Sequence, residues 1–125
     1  MLTQAMHNQN HVLGAAMHAT GARMDVIMNN IANNDTPGFV ASTVEFETAL
    51  GQAIDNWRAT GRLDLSRVRP GLRSQDPGFA FRMDGNNVDM ESEMVRLYTN
   101  TVKYETMVNS VMSNTRRLNM AISGR

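Results

Sequence analysis

The last third of the chain has the most regular alternation of hydrophobic and polar positions. From Asp89 onward, apolar or small branched residues recur in steps of four and three, which is typical of a helix packed lengthwise against another. The two sets of seam positions are Met90, Leu97, Tyr104, Val111 and Leu118, and Met94, Thr101, Val108, Thr115 and Ile122. Asp89 is placed to cap the first turn, since its carboxylate can accept from free backbone amides. The pattern predicts a helix over residues 89–123, about 51 Å long.

The N-terminal region, residues 1–34, carries the same period and predicts a second long helix. Gly14 and Gly21 each cost it roughly 1 kcal/mol relative to alanine, and no charged side chain precedes Arg23. We therefore expect this helix to be stable only when it packs against the C-terminal helix. The predicted fold is mainly α, an antiparallel hairpin of two terminal helices within one domain of 125 residues. Its expected seam comprises Leu13, Met17, Met24, Ile27 and Ile31 on the first helix and Met94, Leu97, Tyr104, Val108, Val111 and Leu118 on the second.

The connecting residues, 35–88, have weaker patterns. Apolar residues from Phe46 to Trp57 recur at helical spacing and predict a short helix over residues 43–57, although the alternation from Val40 to Val44 also suits a strand. Residues 58–82 hold six arginines against two aspartates and several Gly and Pro turn signals, which predicts an irregular basic loop. The alternation of Phe79, Phe81 and Met83 suggests a short strand after it.

Four asparagines fall within six residues at the end of the first helix, followed by a Thr-Pro-Gly turn. Asn tolerates the left-handed conformation at a helix C-terminus, Pro37 ends the helix and Gly38 permits a tight turn. Four amides exceed what a helix cap requires, and the excess suggests a contact with another molecule. The expected subunit-contact residues are Asn29, Asn30, Asn33, Asn34, Thr36, Pro37, Gly38 and Phe39.

This segment resembles the Asn-rich, Thr-Pro-Gly-aromatic signature of bacterial flagellar rod and hook proteins, with Phe39 where the family more often has Tyr. The run Asp84–Met90 is similar to the signature that precedes their last helix. The resemblance covers residues 1–46 and 84–125. It fits a proximal rod protein and also its sister FlgC, and that choice stays open.

The resemblance implies a structural subunit that polymerises helically and transmits torque in the rod. It also implies as partners other copies of the chain, the rod proteins FlgC and FlgF, the adaptor FliE and the membrane ring. Family members cross the inner membrane through the flagellar type III export apparatus without a cleaved signal. That route replaces the cytoplasmic location suggested by the lack of a signal-like N-terminus or membrane-spanning run.

Composition and spacing argue against several other classes of function. The formal net charge is zero and no aromatic residue lies between Trp57 and Phe79, so the basic loop is a poor nucleic-acid site. His7, His11 and His18 lie near one helical face, but His18 is about 10 Å beyond His11 along the axis, and we interpret all three as neutral polar surface. No catalytic constellation, cofactor motif or metal cluster is evident. The principal alternative is a soluble helical adaptor or export chaperone that does not polymerise.

Overall fold

The computed structural model describes residues 2–76, 78 and 82–124. The helices are α1 (Leu2–Ala32), α2 (Glu47–Thr60) and α3 (Met90–Ser123), and the strands are β1 (Ser42–Glu45) and β2 (Gly71–Ser74). The prediction of a mainly α fold with two long terminal helices is confirmed. Among the described residues, no helix is both long and apolar enough to cross a bilayer.

The two long helices run antiparallel, as predicted. Side-chain hydrogen bonds join them at three levels, and the partner's number falls along α3 as the residue number rises along α1. The bonds are Asn114 Nδ2 to Asn10 Oδ1 (3.1 Å), Asn100 Nδ2 to the Thr20 carbonyl (2.9 Å) and Asn30 Nδ2 to Glu93 Oε2 (3.1 Å). Polar contacts at defined heights fix the register of two helices, because a shifted alignment leaves these groups unpaired.

The ends of α3 agree with its sequence signals. The Asp89 carboxylate accepts from the Ser92 amide at 3.2 Å, which confirms the predicted N-cap. The helix ends at Gly124, whose φ of +67° places it in the left-handed region and whose amide donates to the Met120 carbonyl. These caps account for the close match between the predicted and observed helix.

The buried face of α3 is rotated from the predicted seam. Its buried residues are Glu93, Asn100 and Asn114, and Met107 packs on the core, whereas Met94 is 52% exposed and Tyr104 is 37% exposed. The expectation that Met94 and Tyr104 lie inside the seam is therefore wrong. Leu97, Val108, Val111 and Leu118 are partly buried, whereas Met90, Thr115 and Ile122, which belong to the same seven-residue sets, are exposed.

The seam of α1 is shifted in the same sense. Ile27 is buried as predicted, and Leu13, Met17, Met24 and Ile31 are partly buried. The buried small residues are instead Ala16, Ala19 and Thr20. The two alanines form a core cluster with Val44 and Phe46. The connecting segment therefore covers one flank of the hairpin, and this third element turns the buried faces away from a simple two-helix seam.

The connecting segment begins with a strand. Residues 42–45 form β1, so the predicted helix over 43–57 starts too early, and α2 begins at Glu47. Val44 points into the core while β1 pairs antiparallel with β2, in the register Val44 opposite Leu72. The α2 helix ends at Gly61, which has a φ of +72°.

The strand β2 lies within the segment predicted to be an irregular basic loop, and all four of its residues are exposed. Backbone pairing with β1, rather than burial of side chains, therefore holds β2 in place. The strand predicted from Phe79 to Met83 lies mostly outside the described residues, and Met83 itself is in an exposed turn.

Candidate assembly surfaces

The segments before α3 and after α1 are joined by a buried asparagine. Asn86 is completely buried, and its Nδ2 lies 3.0, 2.9 and 2.8 Å from the carbonyl oxygens of Asn33, Asn34 and Thr36. Its Oδ1 accepts from the Val88 amide at 2.8 Å. One side chain thus satisfies backbone groups on both segments, which would otherwise be costly to bury.

Backbone contacts complete this junction. The Gly38 amide donates to the Asp84 carbonyl at 2.9 Å, and the Asn87 Oδ1 accepts from the Ala41 amide at 2.7 Å. Gly38 and Gly85 both have positive φ, of +69° and +78°. A Cβ on Gly85 would lie 3.7 Å from the Gly38 Cα, so the two turns pack directly on each other. The two signature segments of the sequence therefore form one junction at one end of the hairpin.

Asn30 has a role inside the chain. It is 1% exposed, its Oδ1 accepts from the Ser42 amide at 3.0 Å, and its Nδ2 donates to the Ser42 carbonyl at 2.7 Å and to Glu93. An amide that is buried and bonded at both ends has no capacity left for a neighbouring subunit. Asn30 is therefore removed from the expected subunit-contact set.

The other predicted contact residues lie at the surface of the junction. Asn29, Thr36, Pro37 and Gly38 are exposed, whereas Asn33, Asn34 and Phe39 are partly buried. The Asn33 side chain donates to the Asn29 carbonyl at 2.8 Å and accepts from the Thr36 hydroxyl at 3.2 Å. Part of the amide cluster thus caps α1 and supports its turn.

A second surface lies on the exposed side of α3. We define the outer stripe as six large apolar residues, each at least 43% exposed. They are Met94, Val95, Tyr98, Val102, Met112 and Met120. At the usual helical angle per residue they fall within about 100° of the circumference. Sequence reasoning missed the stripe as a whole because it assigned Met94 to the hairpin seam.

The histidines divide into a pair and a separate residue. The Nε2 atoms of His7 and His11 lie 2.9 Å apart, whereas His18 is two turns further along α1. Within the described part of the chain, no group of three or more potential metal-ligating side chains comes together.

Comparison with known proteins identifies the family. A family model described as "Flagella basal body rod protein" matches residues 11–39, which span much of α1 and its signature turn. A rod protein FlgB of Borrelia hermsii is 37% identical over 116 residues, covering 80% of this chain and 84% of its own length. A FlgB of Yersinia enterocolitica is 36% identical over 104 residues, covering 73% of this chain and 76% of its own length. The chain belongs to the flagellar basal body rod protein family.

Membership of this family establishes the role of the chain. As a flagellar basal body rod protein, the chain is a structural component of the basal body, as the signature residues predicted. The FlgB of Bacillus subtilis is 29% identical and aligns with 87% of this chain. These relatives favour the FlgB subtype over the sister FlgC, the choice that the signature residues left open.

Proposed function

We propose that the chain is a proximal rod subunit whose outer stripe packs against neighbouring subunits in a helical array that transmits torque from the membrane ring. The outer stripe is the observation that carries this proposal. Large apolar side chains on one face of a surface helix usually mark a protein contact. Six of them follow α3 from Met94 to Met120, close to its whole length.

The total surface supports the same proposal. The chain exposes 8718 Å², whereas a compact monomer of its 13.9 kDa exposes about 6,700 Å². The excess of about 2,000 Å² is comparable to the area buried in stable protein interfaces. An elongated hairpin with this excess gains most by burying its long side against several neighbours.

The junction provides the second contact needed for a helical array. A head-to-tail contact whose rotation does not close generates a filament, and it requires two different surfaces on each subunit. The outer stripe runs along the hairpin, and exposed Asn29, Thr36 and Pro37 lie at its end. We assign Asn29, Asn33, Asn34, Thr36, Pro37, Gly38 and Phe39 to this end contact.

Rod proteins assemble with other basal-body components, and the finer assignment of neighbours belongs to the proposal. We assign FlgC, FlgF, the adaptor FliE and the membrane ring as partners, together with further copies of this chain. We infer delivery by the flagellar type III export route. The role is structural rather than catalytic.

The outer stripe can be tested with neighbouring residues on one helix. Tyr98→Asp places a charge in the stripe, whereas Thr99→Asp places it on an exposed position about 100° away. We expect Tyr98→Asp to abolish swimming and the recovery of the chain in isolated basal bodies, with Thr99→Asp close to the parent. Circular dichroism should show the same helix content in both purified variants.

Normal motility of the Tyr98→Asp strain would contradict the assignment of the stripe. Sedimentation at high protein concentration separates rod assembly from the adaptor or chaperone alternative. The rod proposal expects self-association that Tyr98→Asp weakens, whereas an adaptor would form only a complex of fixed stoichiometry with another protein.

A further inference from the structure

Two histidines near the start of α1 are oriented towards each other. His7 and His11 are one helical turn apart and both are exposed. Their Nε2 atoms lie 2.9 Å apart, and their rings meet edge to face with centroids 4.3 Å apart. One Nε2–H donates to the Nε2 lone pair of the other ring, so at least one ring is neutral in this arrangement.

We propose that the His7–His11 pair is a binding site for a divalent transition-metal ion of the Cu²⁺ or Ni²⁺ class. Imidazole nitrogens bind such ions at about 2.0–2.1 Å. Two nitrogens 2.9 Å apart at that bond length subtend an angle of about 90° at the ion. That angle belongs to neighbouring ligands in the tetragonal geometry of Cu²⁺ and Ni²⁺. A tetrahedral Zn²⁺ site would need a separation of about 3.3 Å.

The exchange of hydrogen bond for metal requires a change of tautomer and a rotation of the exposed rings. The ring that donates through Nε2 moves its proton to Nδ1, and side-chain rotation then turns both Nε2 lone pairs to the ion. Two neutral imidazoles therefore bind without net proton release. Their remaining nitrogens face solvent, where water satisfies them.

The surroundings leave room for a hydrated ion. A cleft beside the pair is bordered by Gly14, Ala15 and Leu65. The nearby Asn10 Oδ1 already accepts from Asn114, and no third histidine or carboxylate of the described residues joins the pair. Water therefore fills the other coordination positions, which gives a two-ligand site of modest affinity with Cu²⁺ bound most tightly of the divalent ions.

Binding at this position would stabilise the weakest part of the hairpin. The segment before Arg23 has no charged side chain and contains Gly14 and Gly21. The two imidazoles face each other only when the chain between them is helical, so the ion binds the helix in preference to the coil. Metal would therefore increase the order of the first turns of α1, independently of rod assembly.

Calorimetric titration of the full chain, without a polyhistidine tag, with CuCl₂ and NiCl₂ near neutral pH tests the site. We expect one ion per chain, and a weakening of about tenfold or more in either His7→Ala or His11→Ala, because each removes half of the protein ligands. His18→Ala is the matched control and should bind as the parent does. The Cu²⁺ complex should show two nitrogen couplings in its electron paramagnetic resonance spectrum, reduced to one in each single variant.

Equal affinity in the parent and in the double variant His7→Ala/His11→Ala would overturn the proposal and assign binding to another group such as the N-terminal amine. Absence of binding at ion concentrations on the order of 1 mM would also overturn it. Helical circular dichroism without metal should be the same in all variants, because both side chains are exposed.

Discussion

The Asn30 carboxamide donates to the Glu93 carboxylate across the hairpin, with 3.1 Å between Nδ2 and Oε2 and both side chains at most 3% exposed. The same amide bonds the Ser42 amide and carbonyl, so one side chain links α1, β1 and α3. Glu93 also accepts from the Arg96 guanidinium at 3.1 Å. A buried carboxylate is tolerated here because two donors replace its water.

Asn30→Ala should destabilise the fold by about 2–4 kcal/mol, because it removes three hydrogen bonds and leaves buried partners unsatisfied. Urea denaturation followed by circular dichroism measures the effect. Asn29→Ala is the matched control, since its side chain is exposed and its change should stay within about 0.5 kcal/mol. Equal losses in the two variants would contradict the central role of Asn30.

At the junction, Asn86→Asp should destabilise the protein more than Asn86→Ala. The aspartate has the same shape, but it replaces an Nδ2 donor, 2.8 to 3.0 Å from three carbonyl oxygens, by an oxygen that repels them. We expect a loss of about 3 kcal/mol or more for Asn86→Asp. Asn109→Asp, on the exposed surface of α3, is the control for the charge change in the same denaturation assay. An Asn86→Asp variant as stable as this control would be inconsistent with the donor assignment.

The sequence pattern predicted the two long helices, but it predicted much less well which side of each helix is buried. Leu97 and Leu118, which the seven-residue steps assign to the seam, are both partly buried, and the helical period that predicts them is local information. Those steps did not reveal that Glu93 and Asn100 are buried, although both follow the same seven-residue spacing. The sequence pattern did not distinguish the asparagines of the seam from those of the surface. Which side of each helix is buried depends on packing against Phe46 and Val44, which are distant in sequence.

The amide cluster after α1 illustrates the same limit at the junction. Its excess of amides was interpreted as a subunit contact, but the carbonyls of Asn33 and Asn34 are bonded by Asn86, more than fifty residues away. The partner of a buried backbone carbonyl is decided by the fold. The resemblance to the rod family identified both segments, but only the three-dimensional structure shows that they are in contact.

Leu97 and Tyr98 are adjacent in sequence, but we expect them to affect assembly in different ways. Leu97 is partly buried in the hairpin, whereas Tyr98 is 73% exposed. Leu97→Asp should lower the free energy of unfolding by about 2–3 kcal/mol, because it buries an unpaired charge, and should block rod assembly through the hairpin itself. Val111→Asp should act in the same way.

Thermal unfolding by circular dichroism distinguishes this effect from a surface effect. Tyr98→Asp, tested above for assembly, should leave the midpoint within about 2 °C of the parent. A Leu97→Asp protein that is as stable as Tyr98→Asp and still supports motility would refute the placement of Leu97 in the hairpin.

The Arg23–Glu47 ion pair should make stability depend on pH in the acid range. Arg23 donates from Nη1 and Nη2 to the two carboxylate oxygens of Glu47, at 2.6 and 2.7 Å, and Nη2 also donates to the Val44 carbonyl at 2.7 Å. The hydrogen bonds from Arg23 are the main cause that lowers the pKa of Glu47 from its ordinary 4.5 to about 2. The folded chain thus releases this proton more readily than the unfolded chain.

The stabilisation from this pair is therefore fully present above pH 4.5 and is lost as the pH falls from 4.5 to about 2. Because the Glu47 side chain is 58% exposed, solvent screening limits the effect to roughly 1 kcal/mol. Glu47→Gln should lower stability at neutral pH and flatten the acid decline, whereas Glu105→Gln on the exposed side of α3 should keep the profile of the parent. Urea denaturation midpoints measured above and below this pH range test the prediction. Parallel curves of stability against pH for Glu47→Gln and the parent would mean that the ion pair does not contribute to stability.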